Sequence, residues 1–311
     1  MKSVIQSILA IIILSACSAG LSLKNSSSLV QVNAPAGNFL GEGEENFYVF
    51  KGIPYAQPPV GDLRWKAPKN LSAKDEVIDA TKFKSECIQP GTEGLIPNRN
   101  VSVGSEDCLY LNIYIPKNQT DLDKNQFPVM FWIHGGSNIW GSGDFYDFSK
   151  LATTQQVIVV TINYRLGLFG WFSSEHLRNT ATGLDKSSNF GQLDLIKGLE
   201  WVQENISAFG GDKDNITIFG ESAGGHNVLT LLASPLSEGL FHKAISQSGY
   251  VSSYTQKFAE EESELSSKKI FAEETKFLVS DTEVADYLRS LSSEEVYQKY
   301  VAKAEEHIYP I

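Results

Sequence analysis

Residues 129–133 and 157–162 are nearly continuous apolar runs of strand length, the pattern of strands covered on both faces. Between residues 190 and 206, Leu193, Ile196, Leu199, Val202 and Ile206 recur at intervals of three and four, which predicts a helix with one buried stripe. Residues 109–115 alternate apolar and polar groups, as a half-buried strand does. Residues 216–219 and 243–247 read as further strands, with a helical run over 225–233 between them. Strand and helix alternation of this kind predicts an α/β fold with a mostly parallel central sheet and right-handed crossovers. Upstream, residues 29–32 and 46–50 read as strands, with Gly41-Glu42-Gly43 as the turn between them. Residues 66–104 read as loop-rich. From about residue 252 acidic runs such as Glu260-Glu261-Glu262 punctuate helical patterns over 271–278 and 284–291. That stretch is expected to begin a helical cap or second subdomain.

The N-terminus carries a different signal. Lys2 precedes an apolar run over residues 8–14, too short to span a bilayer and laid out like a secretory signal. It ends in Leu14-Ser15-Ala16-Cys17, which resembles a bacterial lipobox and makes Cys17 the expected lipidation site. Ordinary cleavage near Ser18 or Ala19 is the alternative. The expected organisation is a signal peptide over 1–17, a tether over 18–28, a catalytic-type domain over 29–251 and the helical segment over 252–311. Localisation then follows as exported, anchored to a membrane by lipid or else secreted.

Composition changes the picture little. A chain of 311 residues with 42 % hydrophobic and 20 % charged residues can bury a substantial core. The formal net charge of −11 argues against a nucleic-acid partner. No zinc-type cysteine spacing or phosphate-binding loop occurs, so neither a metal nor an organic cofactor is implied. With Cys17 consumed by lipid, Cys87 and Cys108 remain, and an oxidising compartment lets them pair; two free thiols are the alternative.

Chemistry concentrates at Gly220-Glu221-Ser222-Ala223-Gly224, between the strand-like run 215–219 and the helical run 225–233. In that context the pentapeptide reads as a nucleophile elbow, with glycines admitting a backbone too tight for side chains and the serine hydroxyl exposed. A serine needs a base to become nucleophilic, and acyl transfer needs donors for the oxyanion. His134-Gly135-Gly136-Ser137, directly after a buried strand, offers backbone N–H groups with no side chains in the way.

Several blocks in order resemble the type-B carboxylesterase/lipase family, the cholinesterase-like branch of the α/β-hydrolase fold. They are Gly52-Ile53-Pro54-Tyr55-Ala56, Glu106-Asp107-Cys108-Leu109-Tyr110-Leu111-Asn112, Asn163-Tyr164-Arg165-Leu166-Gly167, residues 209–224 and Ser246-Gln247-Ser248-Gly249. The resemblance covers about residues 29–249. It implies that Ser222 is the nucleophile and that Gly136, Ser137 and Ala223 donate the oxyanion-hole N–H groups. It further implies a Cys87–Cys108 disulfide and two buried ion pairs, Arg64 with Glu106 and Arg165 with Asp194. Four positions depart from the family pattern: Ser137-Asn138 replaces a small residue and an aromatic, Leu195 replaces a glutamine, and His226 follows Gly224-Gly225. The family's triad acid and histidine lie farther from the serine than residue 311. His134, His176, His226, His242 and His307 are poor substitutes for that base.

The expected function is therefore serine carboxylic ester hydrolysis on a small-molecule ester through an acyl-enzyme. The chain is expected to be catalytically incomplete as given, a truncated product or partial sequence lacking the last strands of the sheet. A non-catalytic binding or adhesion protein on the same fold, and a lipase, are the rival readings.

Overall fold

A computed structural model describes residues 28–72, 74–93, 96–117 and 126–306. The expected signal, most of the tether, Cys17 and His307 lie outside these residues.

Eleven strands occur in chain order: β1 (Ser28–Ala34), β2 (Gly37–Gly43), β3 (Phe47–Pro54), β4 (Lys74–Asp79), β5 (Gln89–Glu93), β6 (Ile96–Val103), β7 (Tyr110–Pro116), β8 (Phe127–Ile133), β9 (Ile158–Ile162), β10 (Gly211–Glu221) and β11 (Lys243–Gln247). The main sheet runs β1-β2-β3-β7-β9-β8-β10-β11, with β4 beside β2, and β5 pairs β6 as a separate hairpin. Its character is mixed rather than mostly parallel. The pairs from β1 to β9 through β2, β3 and β7 are antiparallel, while β9/β8, β8/β10 and β10/β11 are parallel. Strand-helix alternation begins only after β7, so the consecutive parallel pairs lie in the half of the sheet that carries Ser222; the remaining parallel pair is β2 with β4.

Three local expectations change. Gly41-Glu42-Gly43 is part of β2, and the chain turns at residues 35 and 36 instead. Gly41 is required by a close crossing, because a methyl there would lie 2.6 Å from the Phe50 ring. β7 is buried on both faces, not one. Its polar residues are covered because they are satisfied: Asn112 accepts from the Gly52 N–H at 2.8 Å and donates to Thr161 Oγ1 at 2.9 Å. Tyr114 packs with Val49, Trp132, Ala152, Val159 and Phe219 in a second small core. The supposedly loop-rich stretch 66–104 also contains β4, β5 and β6.

The helix Phe190–Asn205 forms where the apolar periodicity places it, but it is buried nearly all round. Its polar residues again explain this. Asp194 pairs with Arg165, and Asn205 accepts from the Ala36 N–H at 2.8 Å and donates to the Trp201 carbonyl at 2.8 Å. Residues 252–306 form a π-helical turn and four helical segments, the longest being Asp281–Ser290 and Ser293–Glu306. Phe271, Val284, Leu288, Val296 and Val301 from this segment join the same hydrophobic cluster as Phe50, Leu111 and Val160 of the sheet.

Both expected ion pairs and the expected disulfide are present. Cys87 and Cys108 are bonded across 21 positions of sequence. Arg64 forks onto Glu106 with two contacts of 2.6 Å, and its remaining Nη1 donates to the Leu291 carbonyl at 2.6 Å, just past a helix C-terminus. Arg165 forks onto the fully buried Asp194 at 2.8 Å through Nε and Nη2. Arg165–Asp194 ties a loop to a helix, while Arg64–Glu106 joins two loops and reaches a helix end through Nη1; desolvation offsets much of the attraction in such pairs.

On the outer side of β11 no strand pairs among the described residues, and Ile245 there is 45 % exposed.

Candidate active site

Parallel pairing of β8 with β10 aligns Ile133 with Gly220 and Trp132 with Phe219. The segment leaving β8 and the turn leaving β10 therefore emerge side by side at the carboxyl ends of adjacent strands, where open α/β sheets place their ligands. Ser222 sits on that turn, between β10 and the helix Ala223–Ala233, at φ 55° and ψ −120°. This is a strained position for a residue with a Cβ. The chain holds it there: the Ser222 N–H donates to the Gln247 carbonyl at 2.9 Å, and the Ser222 carbonyl accepts from the His226 N–H at 2.9 Å.

The motif glycines are dictated by contact. A methyl on Gly224 would lie 2.0 Å from the Ile133 carbonyl oxygen, and one on Gly220 would lie 2.6 Å from the Gly224 carbonyl oxygen. On the facing segment a methyl on Gly135 would lie 2.8 Å from the Glu221 carbonyl oxygen and 3.3 Å from the Ser222 Cβ. Strand end, elbow and His134-Gly135-Gly136 segment thus pack backbone against backbone.

The turn after Gly135 is unusual. Gly136, Ser137 and Asn138 all have positive φ, at 96°, 57° and 58°. Ile139 and Trp140 both donate to the Gly136 carbonyl, at 2.9 and 3.1 Å. Among the described residues no acceptor takes the N–H of Gly136 or Ser137. Ala223 opens its helix, so its N–H has no intrahelical acceptor either. The three donors expected to form the oxyanion hole thus have no acceptor among the described residues and lie on the two segments beside Ser222.

His134 is buried and stacked on Tyr164, with ring centroids 4.3 Å apart. Its Nδ1–H donates to the Gly135 carbonyl at 2.8 Å, and its own carbonyl accepts from the Tyr164 hydroxyl at 2.7 Å. Burial pulls its imidazole down to about 4, with the Gly135 contact opposing, so the ring is neutral at pH 7. Burial also pushes the Tyr164 phenol far up, so that it stays a donor.

The sequence blocks around the site are its supports. Asn163 accepts from the Gly143 N–H at 2.7 Å and donates to the Ser85 carbonyl at 3.2 Å, while Tyr55 donates to the Asn163 carbonyl at 2.7 Å. Ser246 donates to the Gly225 carbonyl at 3.0 Å, holding β11 against the helix after the elbow.

The rings of the four described histidines each have a partner other than Ser222. Besides His134, His176 contacts Asp281 at 2.6 Å, His242 accepts from the Ile216 N–H at 3.1 Å, and His226 turns its Nδ1 to the Tyr250 carbonyl and packs on the Tyr250 ring. His176 thus ties the helix Glu175–Asn179 to the helix Asp281–Ser290. Leu195 is fully buried in the core. The motifs alone gave no sign of Asn227, whose amide is buried in a helix otherwise lined by Val228 and Leu231. A lone amide at a buried helical position is the signal that could have marked it.

A serine on a strained strand-to-helix turn at the carboxyl end of a central sheet, faced by a glycine turn with free N–H groups, defines an α/β-hydrolase fold. The carboxylesterase family matches residues 28–310. This chain belongs to that family. It is 47 % identical over 220 residues to a para-nitrobenzyl esterase of Bacillus subtilis (strain 168), covering 70 % of this chain and 43 % of that protein. It is 44 % identical over 239 residues to carboxylesterase 1E of Rattus norvegicus, covering 72 % and 41 %. Among solved structures, a thermophilic para-nitrobenzyl esterase superposes with TM-score 0.77 at 36 % identity, over 90 % of this chain and 55 % of that one. A carboxylesterase of Geobacillus stearothermophilus gives TM-score 0.74 at 38 % identity, over 90 % and 54 %. The chain spans less than half the length of these curated relatives.

Proposed function

We propose that this protein is a serine carboxylic ester hydrolase acting on small-molecule esters, with Ser222 as nucleophile. The observation that carries the reading is Ser222 held at φ 55° beside N–H groups of Gly136, Ser137 and Ala223 that lack acceptors among the described residues. In the proposed reaction the Ser222 hydroxyl adds to the ester carbonyl as a base takes its proton. The oxygen of the tetrahedral adduct accepts from the three N–H groups, the alcohol leaves protonated, and water releases the carboxylic acid by the same route. Because each described histidine ring has another partner, this reading assigns the general base and its carboxylate partner to residues outside those described. The names of the para-nitrobenzyl esterase and carboxylesterase relatives support an ester of this general class.

The test is hydrolysis of p-nitrophenyl butyrate by the gene product and by Ser222→Ala. Loss of about 10⁴-fold or more in turnover is expected. A folded Ser222→Ala protein that keeps its turnover would sink the assignment.

We also propose that the protein is exported and held to a membrane by lipid on Cys17. Labelled palmitate should enter the protein in a bacterial host and be absent from Cys17→Ser; label retained by that variant contradicts the anchor.

A further inference from the structure

We propose that Asn138 and Asn227 form an amide clamp that positions the oxyanion turn against the nucleophile helix. The assignment rests on the reading of Ser222 and the glycine turn given above and adds two positioning residues to it. Asn227 Nδ2 donates to Asn138 Oδ1 at 2.8 Å. Among the described residues this is the one hydrogen bond joining residues 135–140 to the helix Ala223–Ala233.

The clamp meets a specific need. The oxyanion hole draws Gly136 and Ser137 from the turn and Ala223 from the helix, so its geometry depends on how the two segments are held together. The turn is poorly suited to hold itself. Ser137 and Asn138 occupy the left-handed region in succession, and such residues persist only where their surroundings over-determine them. Backbone bonds account for part of that: Ile139 and Trp140 donate to Gly136, and Gly167 donates to the Asn138 carbonyl at 2.8 Å. None of these reaches the helix bearing Ser222. The Asn138 side chain does, and the Tyr164 hydroxyl also stands 3.4 Å from its Oδ1.

Asn227 is 1 % exposed, five positions after Ser222. A buried amide with no partner is costly, so an asparagine at this site is explained by the bond it makes. At position 138 an asparagine also tolerates the left-handed backbone better than an aromatic residue does. The departure from an aromatic at that position thus exchanges packing for a directed bond. A bond across two segments holds the donors where charge develops and contributes little to contacts with the bound ester, so it acts on turnover rather than on ground-state affinity.

The test uses the intact protein with Asn138→Ala, Asn227→Ala and the double variant. For each, kcat and KM with p-nitrophenyl butyrate and the inhibition constant of a trifluoromethyl ketone are measured, with Tm as a check on folding. Each alanine variant should lose about 10- to 100-fold in kcat with KM little changed, as for a misplaced oxyanion donor. Ketone binding should weaken in step, and the double variant should match the worse single. Multiplying losses in the double variant, or a loss carried by KM alone, overturns the clamp. Independently of activity, amide exchange in the peptide spanning residues 134–141 should quicken in Asn227→Ala; unchanged exchange also overturns it. If instead Ser222→Ala retains turnover, the active-site reading itself has failed, and the clamp's catalytic role fails with it.

Discussion

Replacing Gly224 by alanine sets a methyl carbon 2.0 Å from the Ile133 carbonyl oxygen and 2.8 Å from that of His134. Ordinary contact begins near 3.4 Å, so the elbow helix and the end of β8 must part by more than 1 Å. Both neighbours are backbone and cannot swing aside as a side chain would. Overpacking of this kind costs about 1–3 kcal/mol, here at the upper end. Alanine's better helix propensity returns about 1 kcal/mol. The net destabilisation is about 2 kcal/mol, which corresponds to a Tm lower by about 4–8 °C for a domain of this size. Activity should suffer more. The parting separates the Ala223 N–H from those of Gly136 and Ser137, and a misplacement of about 1 Å costs about 10²-fold in kcat. Thermal melts and steady-state kinetics on Gly224→Ala check both figures. Leu232→Ala, on the exposed face of the same helix, serves as a control with both quantities nearly unchanged. A Gly224→Ala protein with the parent's Tm and kcat would refute the close approach of strand and elbow on which the site is built.

Two further outcomes follow from buried chemistry near the site. His134 titrates at about 4 in the folded chain against 6.5 as a free side chain, because burial disfavours its charge. The unfolded chain therefore takes up the proton first, and this contribution to stability is complete above pH 6.5 and lost as pH falls toward 4. Between pH 7 and pH 5 the loss is about 2 kcal/mol, so the urea midpoint of the parent should fall more over that interval than that of His134→Gln; parallel falls contradict the burial of a neutral ring. Reduction of Cys87–Cys108 frees a loop of 21 positions and should lower stability by about 3 kcal/mol, read as a drop in urea midpoint with dithiothreitol.

What the sequence made legible follows the physics of each element. Continuous apolar runs located β8 and β9 because strands covered on both faces admit few other residues. The three-and-four spacing located the helix Phe190–Asn205 but understated its burial, since Asp194 and Asn205 go inside with partners that lie 29 and 169 positions away. The same long-range satisfaction hid the burial of Asn112 in β7. Gly41 read as a turn because a glycine demanded by a crossing ring looks like one demanded by φ. At the site, local turn chemistry made the elbow and the glycine segment legible. The Asn138–Asn227 contact was not, because two asparagines 89 positions apart carry no local pattern. Nor could the free state of the Gly136 and Ser137 N–H groups be read without the fold that leaves them free.

The central claim is that Ser222 is an acyl-accepting nucleophile, and covalent trapping tests it most directly. The protein is incubated with a fluorophosphonate, its intact mass is measured, and the modified peptide is sequenced. The account predicts a single adduct on Ser222, absent from Ser222→Ala and slowed in Gly224→Ala. A folded protein that hydrolyses an ester while Ser222 stays unmodified, or that carries the adduct on another residue, would contradict it.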